Sequence, residues 1–320
     1  TAFMGTLSGP MREWGVTDFA IDTSGLRMVA AEREGRIILL YHTLAIAVIA
    51  IETYLITDSV PLKRHEQAQI NATVTVGYLT TLVFGLLFGY FGHNFAFHGL
   101  YLFGLSLTFF AGLLLAAALW PWRKAFRVKD EQRAHWGRVD LERAAFFVMA
   151  VATLGSALFG AVTGSYWGNG HETFLAEDIL REPEKTALQR AIIGHLHIML
   201  TLIAVALALL VGRWLDFKGT LHKIAMPLFI VGTAVTTIGA WAVVPVQPIA
   251  HTIIYVGSTL VLLGGLFLVI YGFGKLMRDR LAALEMDHPS FGQKVAALFH
   301  DPLKFGALWQ MVFMNFVVSF

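Results

Sequence analysis

The run IIGHLHIMLTLIAVALALLVG, residues 192–212, contains no aspartate, glutamate, lysine or arginine. About 20 such residues rise about 30 Å as a helix, the thickness of a bilayer's hydrocarbon core. The run therefore reads as a membrane-spanning helix. Similar runs recur on both sides of it. Of the 320 residues, 56% are hydrophobic and 14% charged, whereas a soluble domain is about 25% charged. Full spans are predicted at about 37–57, 73–92, 98–120, 143–166, 188–212, 222–244 and 250–274. A further apolar run at 305–320 rises only about 24 Å. That segment is tilted, half-inserted or continued in a longer chain. The expected fold is all-α: a polytopic transmembrane bundle of about 8 spans over 37–320, preceded by an external segment at 1–36. No basic stretch with a cleavage site precedes the first span, so no signal peptide is expected. Pro245 and Pro248 are placed in the loop between the sixth and seventh spans.

Orientation follows from the basic residues. With the N-terminal side called A and the opposite side B, the loops RKAFRVKDEQRAHWGR (123–138), GRWLDFKGTLHK (212–223) and GKLMRDRLAALEMDH (274–288) fall on side B. Most of the 24 lysines and arginines lie there. The positive-inside rule makes side B cytoplasmic and side A periplasmic, as for a bacterial cytoplasmic (inner) membrane protein. The basic residues are then topology signals, and the net charge of +2 is no sign of nucleic-acid binding. The absence of cysteine excludes disulfides, thiolate metal sites, iron–sulfur ligation and covalent c-type haem attachment.

Two histidines interrupt the opening run, and their setting carries the functional reading. Of 12 histidines, His65, His135, His222, His288 and His300 occupy side-B loops or helix ends and read as structural or solvated. The other seven, His42, His93, His98, His171, His195, His197 and His251, lie on side A or in the side-A half of a span. Ionisable residues inside a membrane are costly and usually functional. His42, His195, His197 and His251 share one depth, come from three spans and form the candidate metal-ligand group. His93 and His98 are further candidates. Imidazole is the usual axial ligand of haem in a helical bundle. No carboxylate cluster accompanies these residues, which disfavours di-iron, magnesium or calcium. Residues i and i+2 lie about 200° apart on a helix, so His195 and His197 face opposite ways. Either they serve two sites flanking the fifth span, or one ligates while the other hydrogen-bonds to a neighbouring helix. Gly194 would admit a flat macrocycle close to the backbone.

The H-x-H of GHLH (194–197) resembles the helix of heme-copper oxidases and nitric oxide reductases that lies between two haems and gives one histidine to each. YHTLAIAVIAIETYL (41–55) is similar to that family's early helix bearing a ligand of the low-spin haem. WGNGH (167–171), followed by Glu172, resembles its copper-site W-x-x-x-H. The chain lacks an adjacent His-His pair. It also resembles, in its chemistry, the broad group of b-type cytochrome subunits that hold haem between helices and exchange electrons with quinone. These resemblances imply one or two haem b groups, with His42 and one or both of His195 and His197 as axial ligands. They imply an electron-transfer subunit working between the quinone pool and a periplasmic partner such as a c-type cytochrome, within a larger membrane complex. A cofactor-free quinol-binding anchor and a heme-copper-oxidase-like reductase subunit are the alternatives.

Three other features bear on that chemistry. Glu52 lies about three turns from His42 towards side B and is the candidate for proton transfer at a quinone or enclosed water. Arg190 opens the fifth span above His195, where it would pair with haem propionates or anchor the helix at the interface. The acidic stretch HETFLAEDILREPEK (171–185) would steer a basic periplasmic cytochrome onto side A.

Overall fold

The computed structural model describes Phe19 and residues 30–91, 95–128, 130–163, 186–286 and 288–317. Its helices, in chain order, are α1 (Ala30–Ser59), α2 (Arg64–Phe91), α3 (Phe95–Ala118), α4 (Leu141–Val162), α5 (Ala187–Trp214), α6 (Thr220–Ala283), α7 (Phe291–Leu298) and α8 (Pro302–Val317). Among the described residues the only strands are β1 (His135–Trp136) and β2 (Val139–Asp140), a short hairpin before α4. The protein is all-α and membrane-like. Five helices, α2 to α6, are long and apolar enough to cross a membrane. Helical backbone suits lipid because every N–H and C=O is satisfied within the segment. Large apolar side chains accordingly face outward: Leu44, Val48, Ile51 and Leu55 on α1, and Val76, Leu79 and Val83 on α2. Of the segment expected at 1–36, only Phe19 and residues 30–36 are described, the latter as the start of α1.

The loop expected at Pro245 and Pro248 is a tight break with helical backbone on both sides. Residues 220–283 form two helical limbs, counted together as α6, that join at Val246, at φ −144° and ψ 61°. Proline removes an intrahelical donor and clashes with the preceding turn, so two prolines flanking the pair Val246–Gln247 concentrate the break there. At that point the chain doubles back. A Cβ placed on Gly232 would lie 2.8 Å from Val261 N, and one on Gly239 would lie 2.9 Å from Ile254 N. Gly257 meets Thr236 in the same way. The two limbs of α6 are therefore antiparallel, with backbones in contact through glycines. The segments expected at 222–244 and 250–274 are these two limbs.

Other helix pairs close by the same device. Gly77 meets Thr108, and Gly104 meets Thr81, across α2 and α3. Between apolar helices in lipid there is no hydrophobic drive, so close approach of small residues and interhelical hydrogen bonds hold the pairs. Across α1 and α2, Tyr54 Oη and Thr75 Oγ1 are 2.6 Å apart, and Thr57 donates to Asn71 Oδ1 at 2.8 Å. The shared core includes Ile56, Phe146, Ile198, Leu202, Phe229, Leu268 and Leu308, each at most 2% exposed.

Side B is cross-linked by charge. Asp140 caps α4 by accepting from Glu142 N and Arg143 N. The next two residues then anchor the loops. Glu142, 2% exposed, accepts from Arg133 at 2.8 Å and from Arg213 at 3.0 Å. Arg143 donates to Pro61 O at 2.9 Å and to Ala118 O, and lies over the Phe126 ring. His222 is fully buried and its Nδ1 accepts from Ala134 N at 2.9 Å.

Candidate functional site

The chain runs from side A to side B in both α1 and α5, so His42 and His195 sit at matching depth. The two imidazoles face each other with ring centres 6.2 Å apart and planes inclined by 18°. His195 is oriented by α4: its Nδ1 lies 3.0 Å from Ser156 O. A backbone carbonyl can only accept, so Nδ1 carries the proton and Nε2 is left as the basic nitrogen. Gly160, one turn beyond Ser156, carries no side chain because the His195 ring occupies that space. The small residues Ser156 and Gly160, spaced i and i+4, thus make the wall against which the imidazole lies. The Trp241 indole fills the position next to it, over Gly155, and stacks on Phe159 with ring centres 6.4 Å apart.

Several buried polar atoms have no hydrogen-bond partner: Ser156 Oγ and Trp241 Nε1 on the wall beside His195, Arg190 Nε higher on α5, and Glu52 Oε1, Ser59 Oγ, Thr233 Oγ1 and Thr236 Oγ1 elsewhere. Buried polar atoms are normally paired. The hydroxyl and indole beside His195 are therefore open to a ligand or water. Arg190 itself is half-buried in the first turn of α5, whose start is fixed by a capping box between Thr186 and Gln189.

The remaining candidates are dispersed. His197 points away from His195, is exposed at the bundle's outer surface, and hydrogen-bonds through Nδ1 to Ile193 O of its own helix at 2.8 Å. His251 is exposed on the second limb of α6, and His98 is half-buried in the first turn of α3. His93, His171 and the acidic stretch 171–185 lie outside the described residues. No group of three or more metal-ligating side chains occurs among the described residues. Gly194, expected to make room for a flat cofactor, instead admits α6: a Cβ there would lie 2.7 Å from Ala240 O. Glu52 is 6% exposed, and its Oε1 has no partner.

Sequence reading missed Ser156 and Gly160. Their trace is the small-residue pattern GSALFG at 155–160 on an otherwise bulky span. Nothing in that pattern names the partner ring. Comparisons with protein-family models, with curated proteins and with solved structures give no match.

Proposed function

We propose that the chain is a b-type cytochrome of the bacterial cytoplasmic membrane, in which His42 and His195 would hold a haem b near the periplasmic face. The observation that carries this is the separation of the two imidazoles. Imidazole is the usual protein ligand of haem in a helical bundle, and the pair comes from two different helices. The ring centres lie 6.2 Å apart, which brings two such donors together at one depth. The Ser156 carbonyl supports it too, because a ligating histidine usually donates its other ring nitrogen to an acceptor that fixes tautomer and orientation. Bound haem would supply a one-electron couple. Arg190 would neutralise a propionate at the aqueous boundary, and Trp241 and Ser156 would donate to the cofactor or to water beside it. His197 and His251, on outward faces, would serve a second haem only with residues of a partner subunit.

Eight segments then cross or enter the bilayer. They are α1, whose outward stripe Leu44, Val48, Ile51 and Leu55 has the helical spacing of a lipid-facing surface, then α2 to α5, the two limbs of α6, and the shorter α8. The basic side-B loops support a cytoplasmic position for that side. Held by two histidines of the chain, the haem would serve to relay electrons between quinone and a periplasmic redox partner, such as a c-type cytochrome docked on side A, rather than to bind a gas. Glu52 favours a quinone-linked role in addition: it is a buried carboxyl group without a partner, in reach of proton exchange from the side-B half of α1.

The test is a reduced-minus-oxidised absorption spectrum of the purified chain, with haem b quantified in a pyridine extract. One or two haems per chain are expected, with carbon monoxide leaving the reduced spectrum unchanged. His42→Ala and His195→Ala should each lose a haem, and His197→Ala should keep it. A colourless preparation would sink the reading and leave the His42–His195 pair as an inter-helix contact beside a cofactor-free quinol site.

A further inference from the structure

Side B carries a feature that the haem reading does not use. After α3 the chain passes Trp120 and Trp122, makes a short 3₁₀ turn at Lys124–Phe126, and returns through the β1–β2 hairpin to α4. The hairpin turns at Gly137, whose φ of +62° suits glycine. Its next residue, Arg138, is thereby held outward, and Val128 N donates to Arg138 O at 3.2 Å, which ties the two arms of the loop. Between the arms lies a cleft of about 360 Å³ lined by Pro121, Trp122, Arg127, Arg138 and Val139.

The neighbouring arginines are each committed. Arg123 pairs with Glu66, Arg133 and Arg213 with Glu142, and Arg143 with two backbone carbonyls and the Phe126 ring. Arg127 and Arg138 are exposed and make no ion pair with an acidic side chain among the described residues. Two uncommitted guanidinium groups on one cleft make a fork for a phosphate, which arginine grips through paired N–H groups. The depth of the cleft is set by tryptophan. Trp120 packs on Trp122 and edge-on against Phe147 of α4, with ring centres 5.0 and 5.3 Å apart, and Trp122 stays 60% exposed. Tryptophans that end a membrane helix in this way sit at headgroup level. An anion at that depth, flanked by indole and proline, is most simply the phosphodiester of a lipid whose acyl chains run down beside α3 and α4.

We propose that this cleft is a binding site for an anionic phospholipid of the side-B leaflet, with Arg127 and Arg138 holding the phosphate and Trp122 and Pro121 the glycerol and upper acyl region. Basic clefts at that interface bind anionic headgroups with about 1 kcal/mol from each arginine, so removing both should weaken binding on the order of tenfold or more.

The test is native mass spectrometry of the full chain in detergent with added phosphatidylglycerol or phosphatidylcholine of matched acyl chains. Phosphatidylglycerol should be retained in preference to phosphatidylcholine. R127Q/R138Q should lose that preference, whereas R278Q, which removes an exposed arginine elsewhere on side B, should keep it. R127K/R138K keeps both charges but not the fork, and should bind phosphatidylglycerol with intermediate affinity. That variant gives the reading if the glutamine pair fails to fold. Equal retention of the two lipids, or an unchanged preference in either double variant, would overturn the proposal. So would full displacement of the lipid by millimolar inorganic phosphate, which would make the cleft a site for soluble anions.

Discussion

The two ends of the bundle solve the same problem in opposite ways. On side B, loops are pinned by charge: Glu142 is gripped by two arginines, Arg143 bridges two inter-helix connections, and His222 accepts from a loop backbone N–H. On side A, the described polar groups are few and incompletely paired. His195 rests on one carbonyl, while Ser156 Oγ and Trp241 Nε1 have none of the partners such groups usually find. Unpaired atoms occur on side B as well: at Arg143 Nε, Arg213 Nε and His222 Nε2, whose side chains are satisfied through other nitrogen atoms, and at Glu52 Oε1 and Ser59 Oγ in the second half of α1. For Ser156 and Trp241 the unpaired atom is the only polar atom of the side chain. The contrast lies in the charges: among the described residues, side B is held by buried ion pairs, while beside His195 a hydroxyl and an indole N–H have no protein partner.

The strongest way to break this contrast is Glu142→Ala. It would leave Arg133 and Arg213 without their shared carboxylate, and breaking a buried pair from one side costs roughly 3–5 kcal/mol. A large fall in thermal midpoint in detergent is expected, and an unchanged midpoint would contradict the assignment of stability to side B. Next comes Gly160→Ala. The added methyl collides with the His195 ring, and overpacking of this kind costs about 1–3 kcal/mol. The imidazole must shift, so a change in any haem spectrum should accompany a modest loss of stability. A spectrum identical to that of the parent would argue that His195 does not ligate.

Two changes should do little. Ser156→Ala removes a buried hydroxyl that has no protein partner, so the cofactor-free chain should change by less than about 1 kcal/mol. A clear destabilisation that appears only in pigmented protein would show that the hydroxyl bonds to the cofactor or its water. The smallest effect belongs to Asp216, about half exposed, whose carboxyl is held below the ordinary range chiefly by its hydrogen bond to Lys218. Because the folded value is depressed, its contribution is present above the unfolded value of about 3.9 and is lost as pH falls through the folded value. Asp216→Asn should therefore slightly flatten the fall in stability at acid pH, by well under 1 kcal/mol for so exposed a pair. A steeper acid loss in the variant would reverse the sign.

Much of the architecture is legible along the chain because lipid imposes simple demands. A run such as 192–212 must be helical, since no other open structure satisfies its backbone in hydrocarbon. The prolines at 245 and 248 were harder to read. In water two prolines around two residues suggest a loop, but here flanking glycines let the limbs of α6 close onto each other, and the break shrinks to Val246. Gly194 shows the same limitation. Its lack of a side chain is visible in the sequence, but whether a cofactor or Ala240 fills the space depends on the neighbouring helix.

The sequence alone determined that the protein is helical and built for a membrane, because length and hydropathy govern transfer into lipid irrespective of partners. It also determined that His195 and His197 diverge, because a helix turns about 100° per residue. Only the tertiary structure decided which of them meets His42. That choice rests on Ser156 and Gly160 of α4, which leave room and a carbonyl for His195 on the inner face, while the outer face offers His197 only its own helix.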